Sequence, residues 1–327
     1  MKSIWKDVAA AAFMGMILPG LLLNTAVYFQ KSAPEPAVPE QEREVALPVL
    51  VQQSPGRTQM WDMDTYLMGV VLAEMPASFE TEALKAQAVA ARTYARKAYV
   101  TGGKHKNGSL CRQSGCCQAF ITQEEYLARG GTREGVDKVS RAVRATSGQV
   151  LTYEGELIEA TYFSCSGGTT EDAAAVWGTD YPYLKSVESP GEEEAEFFEE
   201  TVVFTPEAFR AALDAELKGD PESWFAVTSY TKGGGVSKAV IGGQTYTGTQ
   251  LRKLLGLRST AFRMEVTQEG IAVTTRGYGH RVGMSQYGAE AMAVSGSSYE
   301  QILGHYYPGT ELTLLEPEDE KTGLDRE

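Results

Sequence analysis

Histidine and cysteine are scarce in this sequence: among 327 residues there are three of the first and four of the second. The histidines, His105, His280 and His305, form no H-E-x-x-H pair, which excludes the helix-borne zinc peptidase site. A Cys-His peptidase or transpeptidase would have to recruit His280 or His305 from far along the chain. No serine sits in a G-x-S-x-G elbow; the nearest approach, Ser164-Cys165-Ser166-Gly167-Gly168-Thr169, does not match it. That turn reads either as a ligand contact through its backbone and hydroxyls or as a tight loop that needs glycine. Positive charge is also short, 30 basic against 43 acidic residues, and the net charge of −13 argues against nucleic acid as a partner. There is no internal repeat. Val8 to Phe29 is a long run that is mostly apolar and carries no charge.

That run is long enough for one transmembrane helix, and Lys2 and Lys6 before it place the N-terminus in the cytoplasm. A cleaved signal peptide is the competing reading, against which stand the length of the run and the lack of an A-x-A site. Pro19-Gly20 would kink the helix. The expected organisation is a cytoplasmic N-terminus (1–7), a membrane anchor (8–30), a proline-rich linker (31–44), one large domain (45–315) and a polar tail (316–327).

The domain is organised around Thr65 to Tyr99. Glu74 closes the apolar run Val70-Val71-Leu72-Ala73, and Met75-Pro76 follows. Proline disfavours helix in the residue before it, so a helix is expected to stop at Glu74 and leave the acid at a corner among apolar neighbours. Burial there would raise its pKa, as a general acid needs. Arg92, if close, would lower it again. A second helix is expected next, with Ser78 or Thr81 as its cap. Leu84, Ala88, Ala91, Ala95 and Ala98 form a small-residue stripe on it that can pack closely.

Further along, Gln123 to Thr146 reads as one helix. GQVLTY and LIEATYFS read as a hairpin about Glu154-Gly155. Glu192 to Glu200 reads as a solvated acidic loop. Thr205 to Leu217 reads as a helix capped by Thr205 with Pro206 at its first position. Strands are expected at Trp224–Tyr230, Ser237–Ile241, Phe262–Val266 and Ile271–Thr275, and helices at Thr249–Leu255 and from about Met284 and Ser298. Helices and hairpins without a βαβ rhythm give the fold class α+β, a single domain of two lobes.

His105, Cys111 and Cys117 are spaced six apart, with Cys116 beside the last. Imidazole and thiolate are the preferred ligands of zinc. The alternative is a disulfide, Cys111 with Cys116 or Cys165. Tyr183 and Lys185 would share one face of an extended segment. His280, Ser285, Gln286 and Tyr287 cluster in a glycine-rich loop whose polar tips suit the hydroxyls of a ligand.

Five stretches carry a resemblance: LMGVVLAEMP, LKAQAVAARTYA, CQAF, YLKSVESP and GYGHRVGMSQYGAEAMA. With them, residues 45 to 315 resemble the stage II sporulation protein D family, which includes amidase enhancers of the LytB type. The resemblance implies a lytic transglycosylase that cuts peptidoglycan glycan strands with Glu74 as its acid, at the outer face of the membrane during engulfment. It implies a glycan cleft that includes Arg92, Tyr183 and Lys185, a zinc site in the cysteine loop, and an amidase partner that strips stem peptides. A non-catalytic, wall-binding amidase enhancer is the alternative. Where the family usually has glycine this chain has Arg281. Glu171 and Asp172 are the candidate second carboxylates if the reaction were hydrolysis.

Overall fold

The structure, a computed structural model, describes residues 48–54, 57–105 and 108–315. The expected span Val8–Phe29, the linker and the polar tail lie outside them. No helix among the described residues is long and apolar enough to cross a membrane.

Strands β1 (Pro48–Ser54) and β2 (Arg57–Asp62) form an antiparallel hairpin that runs straight into helix α1 (Met63–Glu74). Asp62 caps α1, its carboxylate accepting from the Thr65 N–H at 2.8 Å. The helix ends at Glu74 as expected, because Met75 before Pro76 is extended. Helix α2 (Thr81–Thr101) starts after Glu80, and neither Ser78 nor Thr81 caps it. Its Glu80 N–H is instead satisfied by the Glu290 carboxylate at 2.6 Å. Leu84, Ala88, Ala91 and Ala95 are buried.

The expected helix from Gln123 is two: α3 (Gln123–Ala128) and α4 (Arg133–Ala145). Gly130 is left-handed at φ +92, and a side chain at Gly131 would run into the Tyr126 ring. Thr122 and Thr132 cap the two halves. Strand β3 (Gln149–Tyr153) turns at Glu154-Gly155 into a two-residue β4 (Glu156–Leu157). The hairpin stops there. β5 (Tyr162–Phe163) leaves for a different partner, and the short α5 (Ala173–Trp177) follows.

β6 (Glu199–Phe204) begins inside the stretch Glu192–Glu200, where a loop was expected. α6 (Pro206–Leu213) has its expected cap, Thr205, but ends early at a left-handed Asp214. β7 (Phe225–Tyr230), β8 (Val236–Ile241) and β9 (Gln244–Thr247) make an antiparallel sheet. α7 (Gly248–Leu254), β10 (Ala261–Thr267) and β11 (Gly270–Arg276) follow, and β11 lies between β10 and β6. β12 (Met284–Ser285) pairs parallel with β5 and leads into α8 (Gln286–Val294). α9 (Tyr299–Tyr306) and β13 (Glu311–Leu314) close the fold, β13 on the free edge of β3.

Helices and several small, mostly antiparallel sheets thus make up the described residues of the unit Glu44–Glu327. Its buried apolar side chains fall into two clusters. One gathers on α1, α2, α4 and α9, with Val70, Leu84, Val139 and Ile302. The other lies among α6, α7 and the strands from β6 to β11, with Phe209, Trp224, Leu251 and Ile271.

Candidate active site

Glu74 is delivered by a close approach of backbone. Gly69 on α1 has no side chain, and the Phe120 ring and the Ile121 carbonyl occupy the space a Cβ would take. The Ile121 N–H donates to the Gly69 carbonyl at 3.2 Å. This lays residues 118–121 across the end of α1, where the Ala119 N–H donates to Glu74 Oε1 at 2.9 Å. From the other side Gln286, the first residue of α8, donates through Nε2 to Glu74 Oε2 at 3.1 Å. Burial raises the Glu74 pKa, and these two hydrogen bonds oppose it in part.

Two open cavities meet at this acid. The larger, about 960 Å³, is lined in part by Tyr94, Tyr162, Trp177, Tyr181, Arg252 and Tyr278. The smaller, about 730 Å³, runs past Pro76, Tyr126 and Lys138. Ala73 and Glu74 belong to both. Trp177 is 42% exposed and rests on the His280 ring at 5.4 Å, an aromatic floor of the kind sugar rings stack on. The Tyr162 hydroxyl accepts from Gln118 Nε2 at 2.8 Å, and the negative charge of Glu74 is among the causes that raise its pKa. Trp177 and Tyr162 escaped the sequence reading. Each stands alone among ordinary strand and helix residues, with no local pattern to mark it.

Of the expected site residues, Glu74, His280 and Gln286 line the larger cavity, as do Cys116 and Cys117. His280 is neutral: burial lowers its pKa to about 4, with Arg252 adding to the effect, and Nδ1 accepts from the Val282 N–H at 3.1 Å. It is a wall of the site, and its ring nitrogen is not free to act as a base.

The others are placed elsewhere. Arg92 is fully buried. It donates to Asp64 at 3.0 Å and to the carbonyls of Thr146 at 2.8 Å, Val143 at 3.2 Å and Gln149 at 3.3 Å. A guanidinium so enclosed ties α1 to α4 and β3 and meets no sugar. Nor is it among the groups that act on the Glu74 pKa. Tyr183 is buried against Tyr153 and Tyr181, its hydroxyl accepting from the Glu159 N–H at 3.1 Å. Lys185 pairs with Asp180 at the surface. Tyr287 packs edge-on against Phe79, ring centres 5.2 Å apart.

Ser285 is buried, caps α8 and donates to Glu192. Glu192 itself was expected in a solvated loop and is buried instead. Its carboxylate accepts from the Ser166 hydroxyl at 2.6 Å, from the Ser166 and Gly167 N–H groups at 3.0 and 2.9 Å, and from Ser189 at 2.9 Å. The Ser164–Thr169 turn is therefore built around a carboxylate, which sets the start of α8 and with it Gln286. The two candidate second carboxylates are also engaged: Glu171 pairs with Arg281 at 3.2 Å, and Asp172 accepts from the Ser186 N–H at 2.9 Å.

His105, Cys111, Cys116 and Cys117 each offer a ligand atom, and these atoms all lie within 4.8 Å of one another. The four cysteines are free thiols, so the disulfide pairings weighed from the sequence are not formed. Burial pushes the Cys117 thiol up to about 12. At Cys111 burial acts the same way but is outweighed by hydrogen bonds from Gln113 and the neighbouring thiols, and its pKa falls. One imidazole and three thiols at this spacing fit a tetrahedral zinc ion. The loop that carries them leads directly to Ala119.

With this geometry in view, the comparisons with known proteins converge. The family model described as stage II sporulation protein matches residues 52–153. Stage II sporulation protein D of Bacillus subtilis (strain 168) is 40% identical over 255 residues, which is 77% of this chain and 74% of that one. Its namesake in Bacillus amyloliquefaciens is 39% identical over the same shares. A protein named amidase enhancer in Bacillus subtilis is 30% identical over 76% of this chain and 40% of its own length.

Proposed function

The chain belongs to the stage II sporulation protein D family, and from that premise we propose that it is a lytic transglycosylase of peptidoglycan. Protonated Glu74 gives its proton to the oxygen between N-acetylmuramic acid and N-acetylglucosamine as the C1–O bond breaks. The carboxylate then takes the proton of the muramyl C6 hydroxyl, whose oxygen closes on C1 as a 1,6-anhydro ring. No water enters, so no second carboxylate is required.

The observation that carries this reading is the setting of Glu74. It is a carboxyl with a raised pKa, oriented by two donors where two cavities meet. Glu159, the other carboxylate on the larger cavity, pairs with Lys97 at 3.3 Å. The aromatic floor at Trp177 supports a sugar polymer as the ligand. Zinc held by His105, Cys111 and Cys117, with Cys116 in reach, would order the loop that ends on Ala119. Such a site is structural: when bound, the ion fixes the loop's conformation. The two buried clusters are taken as the two lobes that border the cleft. Val8–Phe29 anchors the chain in the membrane with the domain outside, where it acts on the wall in engulfment beside an amidase that removes stem peptides.

Digestion of purified glycan strands tests this. The wild type is expected to release fragments with anhydromuramic ends, lighter than reducing ends by one water. Glu74→Gln keeps the shape but carries no proton to give, and cleavage is expected to fall by about 10⁴-fold, the upper end for general acid catalysis. Reducing ends would make the protein a muramidase. The relative named amidase enhancer favours a second reading, glycan binding without cleavage. Full cleavage by Glu74→Gln would remove the acid from its role, and absence of cleavage by the wild type with binding retained would establish the second reading.

A further inference from the structure

Two cations on the larger cavity have no acidic partner among the described residues. Arg252, on α7, is half-buried, and its Nε donates to the Leu257 carbonyl at 3.4 Å. Lys104, in the loop after α2, donates to the Cys116 carbonyl at 2.5 Å. Most other arginines that shape this part of the fold are matched: Arg92 with Asp64, Arg258 with Glu200, Arg276 with Glu199, Arg281 with Glu171. Both sit on the cavity that holds Glu74, in a chain whose net charge is −13.

Their positive fields fall on a common point. Both Arg252 and Lys104 depress the pKa of His280, after burial itself. Burial also works against the Arg252 charge. The acids of the cavity do not compensate: Glu74 is held by Ala119 and Gln286, and Glu159 by Lys97. A partly desolvated guanidinium that no protein carboxylate meets is suited to meet one from a ligand, because its planar fork matches a carboxylate's two oxygens.

We infer that Arg252, supported by Lys104, forms a subsite that binds a carboxylate carried by the substrate. This rests on the glycan reading above and deepens it. A peptidoglycan strand offers such a group from two sources: the lactyl carboxylate of a muramic acid without a peptide, and the free carboxylates of the stem peptide. A polymer of N-acetylglucosamine alone offers none. Arg252 thereby gives the α7 segment, otherwise part of the second core, a part in choosing the substrate.

The test measures binding to the full-length protein. The probes are muramic-acid-containing oligosaccharides with free lactyl carboxylates, the same oligosaccharides with those carboxylates as methyl amides, the same bearing stem peptides, and N-acetylglucosamine oligomers of equal length. The wild type is expected to prefer the free acid over the amide by about tenfold, the worth of one hydrogen bond to a charged group, with the preference shrinking as salt rises. Arg252→Gln should bring the ratio to about one, and Arg252→Lys should keep part of it. Tighter binding of the free acid than of the peptide-bearing strand assigns the lactyl group; the reverse order, with the discrimination still dependent on Arg252, assigns the peptide. Should Arg252→Gln fail to fold, Lys104→Met, which is expected to weaken the preference, carries the comparison. Unchanged discrimination in the folded variants overturns the inference and leaves the glycan reading standing. If no oligosaccharide binds the wild type, both fall.

Discussion

At Glu74 a single carboxyl is kept partly from water and yet hydrogen-bonded, and that balance has a measurable sign. Burial raises its pKa, so the protonated acid persists to higher pH than in an exposed carboxyl. Cleavage is expected to fall as pH rises through that raised value. The Gln286 hydrogen bond lowers the pKa, so Gln286→Met should move the alkaline limb of the pH–rate profile upward, with the rate itself reduced by poorer orientation. The same shift affects stability. Relative to an exposed carboxyl, Glu74 is most favourable to folding below the ordinary value of about 4.3 and loses that advantage as pH rises through its folded pKa. Glu74→Gln should therefore unfold later in urea than the wild type at neutral pH, and the difference should vanish in acid. At this scale the sequence was legible where a neighbour fixes geometry: Pro76 announces the corner that holds Glu74. It was not legible where burial decides. A string of letters shows the charge of Arg92 and Glu192 but not the enclosure that makes one a tie between helices and the other the centre of a turn.

Among the elements, the loop from Gly108 to Ala119 has the most to do with the acid while owning little regular structure. Cys116 and Cys117 of the ligand cluster stand just before Ala119, whose N–H holds Glu74. About one zinc per chain is expected by elemental analysis, lost in Cys117→Ser or His105→Ala. Its removal by a chelator should lower the melting temperature and cut activity together, since binding free energy here is partly the free energy of ordering the loop. Protein that is fully active with no metal would overturn the site. The cluster could be read from spacing because its ligands are local. The helices around it were read in outline, from periodicity, but their ends shifted wherever the deciding contact is distant. The N–H at the start of α2 donates to Glu290 on α8, and β5 abandons its hairpin for β12. Such partners leave no mark in a window of neighbouring residues.

Across the molecule, the two buried clusters are joined by an ion pair. Arg281 and Glu171 belong to the segments around the first. Arg281 also donates to the Gly233 carbonyl at 2.6 Å, and Glu171 accepts from Thr231 at 2.7 Å and from the Gly235 N–H at 3.0 Å, all in the β7–β8 turn of the second. Arg281 stands at φ +65, a conformation that favours glycine. Arg281→Gly would relieve about 1 kcal/mol of backbone strain. It would also strand the Glu171 carboxylate in a buried setting at a cost of about 3 kcal/mol or more, so a lower urea midpoint is expected. The pairing was invisible in the sequence, which marks Arg281 only as a departure from a glycine.

The two donors on Glu74 lie 45 and 212 residues away from it along the chain. A ribosome making this protein therefore finishes the acid long before it finishes the residue that aims it. A chain cut short before Gln286, or still threading out, holds a carboxyl without its second support. The arrangement that orients Glu74 is thus incomplete until the segment carrying Gln286 has been made and docked.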